Sequence, residues 1–75
     1  MTIGQLIKKH CEDNQITQRE FADKVGMTHV AISRLVQYND KLPSIPYIKN
    51  IAKALGLTYM GLIIEHYATW EEGGR

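Results

Sequence analysis

The stretch from Gln18 to Val36 places small, apolar and glycine residues where two short helices joined by a tight turn require them. Its apolar residues follow a helical spacing on both sides of the turn: Phe21, Val25, Met27, Ile32 and Leu35. Ala22 is small at the point where the two backbones would approach most closely, and Gly26 tolerates positive φ after the first helix. The spacing therefore predicts a helix-turn-helix, with helices over 18–25 and from 29 to about 37.

Both helices of this unit begin with a capping signal. Thr17 precedes Glu20 by three residues, which is the pattern of a capping box: the threonine oxygen accepts the N3 amide and the glutamate reaches back. Thr28 is placed to cap the second helix.

Two further helices follow from caps and apolar periodicity. Thr2 and Gln5 form another capping box, which opens a helix to about Asn14 with an inward face of Ile3, Leu6, Ile7, His10 and Cys11. Ser44 is predicted to cap a later helix that tolerates Pro46 in its first turn and ends at Gly56. Its predicted apolar stripe is Ile45, Ile48, Ile51, Ala52 and Leu55.

A fifth helix is predicted from the Thr58 cap to about Tyr67, with Tyr59, Leu62 and Ile63 closing the core. Residues 68–75 end in Gly-Gly-Arg and are predicted to form a flexible tail after a domain spanning 1–67. No alternating run is long enough to predict a strand, so the expected fold class is all-α.

The 75 residues and 44% hydrophobic content suffice for one small domain with a single core. The lone cysteine, Cys11, excludes an internal disulfide, and its place on the apolar face of the first helix favours a packed thiol. With no signal-peptide pattern and no long apolar span, we expect a cytoplasmic protein without a membrane segment.

The chain resembles the Cro and phage-repressor helix-turn-helix family over roughly Ile3 to Ile64, through the segments ITQREFADKVGMTHVAISRLV and IAKALGLTYMGLI. The family usually has glutamate and then glycine after the recognition helix, where this chain has Val36 and Tyr38, and Pro43 comes one residue late. The resemblance implies a five-helix DNA-binding domain that regulates transcription.

The second helix of such a unit enters the major groove, and its outward residues approach base edges. With Ala31, Ile32 and Leu35 turned inward, the outward residues are Thr28, His29, Val30, Ser33, Arg34 and Gln37. The resemblance implies that His29, Val30, Ser33 and Arg34 read bases and that Gln18 contacts a backbone phosphate. Arg34 could instead pair with a neighbouring carboxylate, and Gln18 could be a plain exposed residue.

Charge supports DNA binding only locally. The formal net charge is +1, but the segment from Met27 to Asn39 contains Arg34 and no acidic residue. Lys41, in the loop where Asn39 and Asp40 are expected to turn the chain, is a candidate phosphate contact or an ordinary solvated lysine.

Nothing in the sequence indicates an enzyme or a cofactor. His10, His29 and His66 lie on separate helices with no cysteine or carboxylate at a metal-ligand spacing, so we expect neither a catalytic nor a metal site.

Two functions of different class remain open. The first is a sequence-specific regulator that acts as a homodimer on a pseudo-palindromic operator. The second is an antirepressor or antitoxin that binds a partner protein, such as a repressor or a toxin. Met60, Ile64 and Tyr67 form a second apolar stripe on the fifth helix, which could serve as an interface in either case; alternatively these residues are incidental or pack against Trp70.

Overall fold

The computed structural model describes residues 1–38 and 42–72, and for residues 69–72 it describes the backbone only. Within these ranges the chain forms five α-helices and no strand, which confirms the all-α fold class. The helices are α1 (Ile3–Asn14), α2 (Gln18–Val25), α3 (His29–Gln37), α4 (Ile45–Leu55) and α5 (Tyr59–Glu72). The predicted starts of all five, and the predicted ends of the first four, are confirmed.

Threonine hydroxyls cap four of the five helices, as the sequence predicts. Thr2 and Thr17 form complete capping boxes with Gln5 and Glu20. The Thr28 and Thr58 hydroxyls accept the amides three residues further on, at 3.1 and 2.9 Å. Each cap satisfies an amide that no helical carbonyl can reach, so helix starts are fixed locally.

The predicted side-chain cap of α4 is wrong. Ser44 occupies the N-cap position, but its hydroxyl makes no hydrogen bond to the helix. The physical reason lies in the two amides that such a cap would serve. Pro46 has no N–H, and the Tyr47 amide already donates to the Ser44 carbonyl at 3.0 Å.

The predicted end of α5 is also wrong, because the helix continues to Glu72 rather than stopping near Tyr67. No glycine or proline occurs between Tyr67 and Gly73, so nothing in residues 68–72 breaks the helix. The predicted tail is therefore helical over 68–72, and its last three residues lie outside the described part of the chain. The predicted domain boundary at residue 67 stays a prediction.

All five helices contribute to one hydrophobic core. Its buried residues are Ile3, Ile7, Cys11, Phe21, Ala22, Val25, Ile32, Leu35, Ile48, Ile51, Ala52 and Leu62. Leu6, Leu55, Tyr59 and Ile63 pack against this core from its edge, and His10 is half-buried. Phe21 at the start of the helix-turn-helix is fully buried, so the core supports that unit directly.

The prediction that Ile45 belongs to the buried stripe is wrong, whereas the prediction of a packed Cys11 thiol is confirmed. Ile45, predicted to belong to the α4 stripe, is 55% exposed, because the first turn of α4 extends beyond the buried positions that begin at Ile48. Cys11 is buried, as expected, and its Sγ lies 3.9 Å from the Thr17 carbonyl oxygen. Burial raises the pKa of the Cys11 thiol, which keeps it in the unreactive protonated form.

Candidate nucleic-acid interface

The turn between α2 and α3 has the geometry that its sequence predicts. Gly26 lies in the left-handed region at φ 76°, and its amide donates to the Ala22 carbonyl at the end of α2. The Met27 amide donates to the same carbonyl at 3.0 Å. Ala22 itself is buried, so a larger side chain would have no free space at the crossing. This turn sets the direction in which α3 leaves α2.

A contact from α4 that was not predicted from the sequence stabilises the same turn. The side-chain amide of Asn50 donates to the Val25 carbonyl at 3.2 Å, across 25 residues of sequence. Val25 is the last residue of α2, where carbonyls lack helical partners. Asn50 therefore ties the end of α2 to α4 and helps to hold the helix-turn-helix on the rest of the domain.

Helix α3 presents the predicted face to solvent. Ile32 and Leu35 are buried, whereas His29, Arg34 and Gln37 are exposed and Val30 is 64% exposed. Ser33 and Ala31 are half-buried, so Ala31 is turned inward only in part. Thr28 is exposed at the start of the helix, with its hydroxyl oxygen already accepting the Ala31 amide.

Arg34 forms no ion pair within the described residues. The two ion pairs there join Lys9 to Asp13 and the N-terminal ammonium to Glu65, away from α3. The predicted alternative was that Arg34 pairs with a nearby carboxylate. Among the residues that the structure describes, no carboxylate forms this ion pair. The Arg34 side chain lies on an exposed helix face.

Gln18 and Ser33 meet across the turn. The Ser33 hydroxyl donates to Oε1 of Gln18 at 3.1 Å and lies 3.4 Å from Nε2 of His29. The structure thus brings together three of the predicted DNA-contacting residues on one surface formed by α2 and α3. Lys41, with Asn39 and Asp40 of the predicted turn, lies outside the described residues, and its role as a phosphate contact stays a prediction.

A family model described as helix-turn-helix, of the Cro and phage-repressor type, matches residues 7–62, which is most of the chain. The chain belongs to this helix-turn-helix family. The matched range contains α2, the turn and α3 in full, and the protein is accordingly a DNA-binding helix-turn-helix regulator. No curated protein and no solved structure matches the chain.

Away from the outward face of α3, the helix-turn-helix domain exposes an apolar face on α5. Met60 is 61% exposed, Ile64 62% and Tyr67 49%. Leu57, just before α5, is exposed as well, which the sequence analysis did not single out. Met60, Ile64 and Tyr67 share one helix face, because they are spaced i, i+4 and i+7.

Neither α5 nor any other described helix is long and apolar enough to cross a membrane. The described residues also contain no cluster of three or more His, Cys, Asp or Glu side chains suited to a metal ion. His10 packs edge-on against Phe21, with ring centroids 5.6 Å apart. His66 is buried, and its Nδ1 accepts the Ile3 amide. Both histidines therefore make contacts within the fold.

Proposed function

We propose that this protein is a sequence-specific transcriptional regulator of the phage Cro and repressor type, which reads an operator through α3. The observation that carries the proposal is the outward face of α3, where Arg34 is exposed without an ion pair among the described residues. A helix of this family that buries Ile32 and Leu35 and exposes a guanidinium with no ion pair among the described residues is suited to the major groove.

Each exposed residue of α3 has a distinct chemistry for base edges. The Arg34 guanidinium can donate two hydrogen bonds to O6 and N7 of one guanine, which is worth about 1–3 kcal/mol of discrimination. Val30 offers methyl groups for contact with the methyl of a thymine. His29 can hydrogen-bond to a base or a phosphate, while Thr28 and Gln37 lie at the two ends of this face.

Phosphate contacts would hold this face on the duplex. Gln18 begins α2 beside α3, where its side-chain amide can donate to a backbone phosphate. Lys41 is proposed as a second phosphate contact from the loop that follows α3. Such contacts fix register and orientation and carry no sequence information themselves.

The proposed assembly is a homodimer formed through the exposed face of α5. A symmetric contact of Met60, Ile64 and Tyr67 with the same residues of a second copy would bury the apolar side chains of both. Two recognition helices must lie about 34 Å apart to enter successive major grooves of a pseudo-palindromic operator.

The same apolar face favours one second candidate function. An antirepressor or antitoxin would use Met60, Ile64 and Tyr67 to bind a different protein, such as a repressor or a toxin. Methionine suits such a surface because its flexible side chain repacks against different partners. The net charge of +1 is in keeping with this alternative, since it gives little general attraction to DNA.

A binding experiment tests the proposal. A duplex of about 20 base pairs, enriched from a random-sequence pool by wild-type protein, is titrated with wild type and with Arg34→Ala. The loss of a bidentate guanine contact should weaken binding about 5- to 150-fold, while circular dichroism shows an unchanged helical fold because alanine suits a helix.

The matched control is Lys53→Ala, which removes one exposed cation from α4 instead of α3. It should change the affinity far less than Arg34→Ala. Affinities within about twofold for wild type and Arg34→Ala would contradict base reading by Arg34. If the pool yields no enriched duplex at all, the protein-binding function is favoured.

A further inference from the structure

The Ser33 side chain contacts both Gln18, the proposed phosphate contact, and His29. Its hydroxyl donates to Oε1 of Gln18 across 15 residues of sequence, and the same oxygen lies 3.4 Å from Nε2 of His29 on the preceding turn of α3. Ser33 and Gln18 are both half-buried, whereas His29 is exposed. A base-reading side chain that faces solvent is free to rotate, whereas the Ser33 hydroxyl is restrained by contacts on two sides.

The number of protons decides the direction of these contacts. A serine hydroxyl has one proton, and here that proton is donated to Gln18. For the second contact to be a hydrogen bond as well, Nε2 of His29 must carry a proton and donate it to the Ser33 oxygen. The three side chains thus form a chain of hydrogen bonds that runs from His29 through Ser33 to Gln18.

This chain fixes which end of the Gln18 amide is available. Its oxygen accepts from Ser33, so the amino group carries the remaining hydrogen-bonding capacity, namely two donors. Within the described residues that amino group has no hydrogen-bond partner. Phosphate oxygens only accept hydrogen bonds, so an amide held with its amino group free has the correct polarity for them.

We propose that Ser33 is a positioning residue that reads no base and instead orients the Gln18 amide toward a backbone phosphate. This inference rests on the proposed function and differs from the role that the family resemblance implies for Ser33. It predicts that the contribution of Ser33 to binding is the same for every DNA sequence, since a phosphate contact carries no sequence information.

The hydrogen bonds themselves are tested first, without DNA. Ser33→Ala should shift the NMR signals of the Gln18 side-chain amide, while Ser33→Thr, which keeps the hydroxyl, should leave them near their wild-type positions. Ser44→Ala is the matched control, because it removes an exposed serine hydroxyl that makes no hydrogen bond to its helix. An unchanged Gln18 signal in Ser33→Ala would overturn the inference.

The role in binding is tested with two duplexes of equal length and composition, one enriched by the wild type and one scrambled. Ser33→Ala should weaken binding to both by a similar factor of about three to ten. Ser33→Thr should restore most of that loss, and Ser44→Ala should show none. In a Gln18→Ala background, Ser33→Ala should cause no further loss, because Ser33 acts through Gln18.

The outcomes separate the two proposals. If Ser33→Ala weakens only the enriched duplex, Ser33 reads a base and the positioning role is wrong. If losses from Ser33→Ala and Gln18→Ala simply add, Ser33 does not act through Gln18 and the inference is also wrong. If wild type binds neither duplex, the proposed function fails and takes the phosphate role with it, whereas the NMR comparison still reports on the hydrogen bonds.

Discussion

At the scale of single residues, His66 links α5 to the start of α1. It is buried on α5, and its Nδ1 accepts the amide of Ile3, the first residue of α1, at 3.0 Å. That amide has no helical carbonyl to bond, so His66 acts as an additional cap for α1. Burial, and secondarily the nearby N-terminal ammonium, lower the pKa of His66 below its ordinary 6.5.

A lowered histidine pKa makes stability depend on pH in one direction. The unfolded chain takes up the proton first, so the stabilisation is complete above pH 6.5 and is lost as the pH falls below that value. Thermal unfolding followed by circular dichroism should therefore give a lower melting temperature at about pH 5.5 than at about pH 7.5.

His66→Gln keeps an acceptor for the Ile3 amide but cannot become protonated, and it should flatten this pH dependence. A wild-type melting temperature that does not change between the two pH values would contradict the role given to His66.

At the scale of elements, the crossing of α2 and α3 depends on Ala22. The residue is buried beside the turn, and its carbonyl accepts the amides of Gly26 and Met27. Ala22→Leu should destabilise the domain by about 1–3 kcal/mol, because the added carbons have no space at the crossing. For a domain of this size the melting temperature should fall by at least about 4 °C.

Lys24→Leu is the matched control, since it adds a leucine to the exposed side of the same helix. Its melting temperature should stay close to that of wild type. If Ala22→Leu melts at the wild-type temperature, the two helices do not pack closely at residue 22.

Features of the elements that depend on near neighbours were predictable, and those that depend on distant contacts were not. Thr17 and Glu20 define a helix start within four residues, so α2 was correctly placed. The Ser44 hydroxyl cap is an exception, because its prediction was wrong although the residues responsible, Pro46 and Tyr47, are near neighbours in the sequence.

The remaining differences between the sequence-based predictions and the structure follow from tertiary geometry. Ile45 has the right spacing for the α4 stripe, but its burial depends on how far the neighbouring helices extend, which no local pattern encodes. The hydrogen bond from Ser33 to Gln18 depends on the angle at which α2 and α3 cross. The sequence could name both residues as candidate DNA contacts but could not show that they touch.

At the scale of the whole molecule, the proposed assembly depends on the exposed apolar face of α5. Ile64→Lys would place a charge at the centre of a face that also includes Met60 and Tyr67. In a monomer the long lysine stem reaches water, so the helical fold should persist. In a dimer the charge would be buried without a partner, so self-association should be lost, and with it cooperative binding to two half-sites.

Light scattering on wild type and mutant measures the change in assembly. Gln15→Lys adds the same charge at an exposed position after α1 and should assemble like wild type. A wild-type protein that is monomeric with and without DNA would contradict the dimer. Unfolding of Ile64→Lys would show instead that Ile64 belongs to the core.

The single cation on α3 has a thermodynamic consequence for how this domain would discriminate between DNA sites. From Met27 to Tyr38 the chain contains Arg34 and no acidic residue, so few condensed counterions are released when the helix enters the groove. Because each neutralised phosphate contributes about −0.9 to the slope of log affinity against log salt, we expect a shallow slope. The contacts of Arg34 and Val30 with base edges should weaken less in concentrated salt than the nonspecific attraction to phosphates, so the preference for an operator over other DNA should increase with ionic strength.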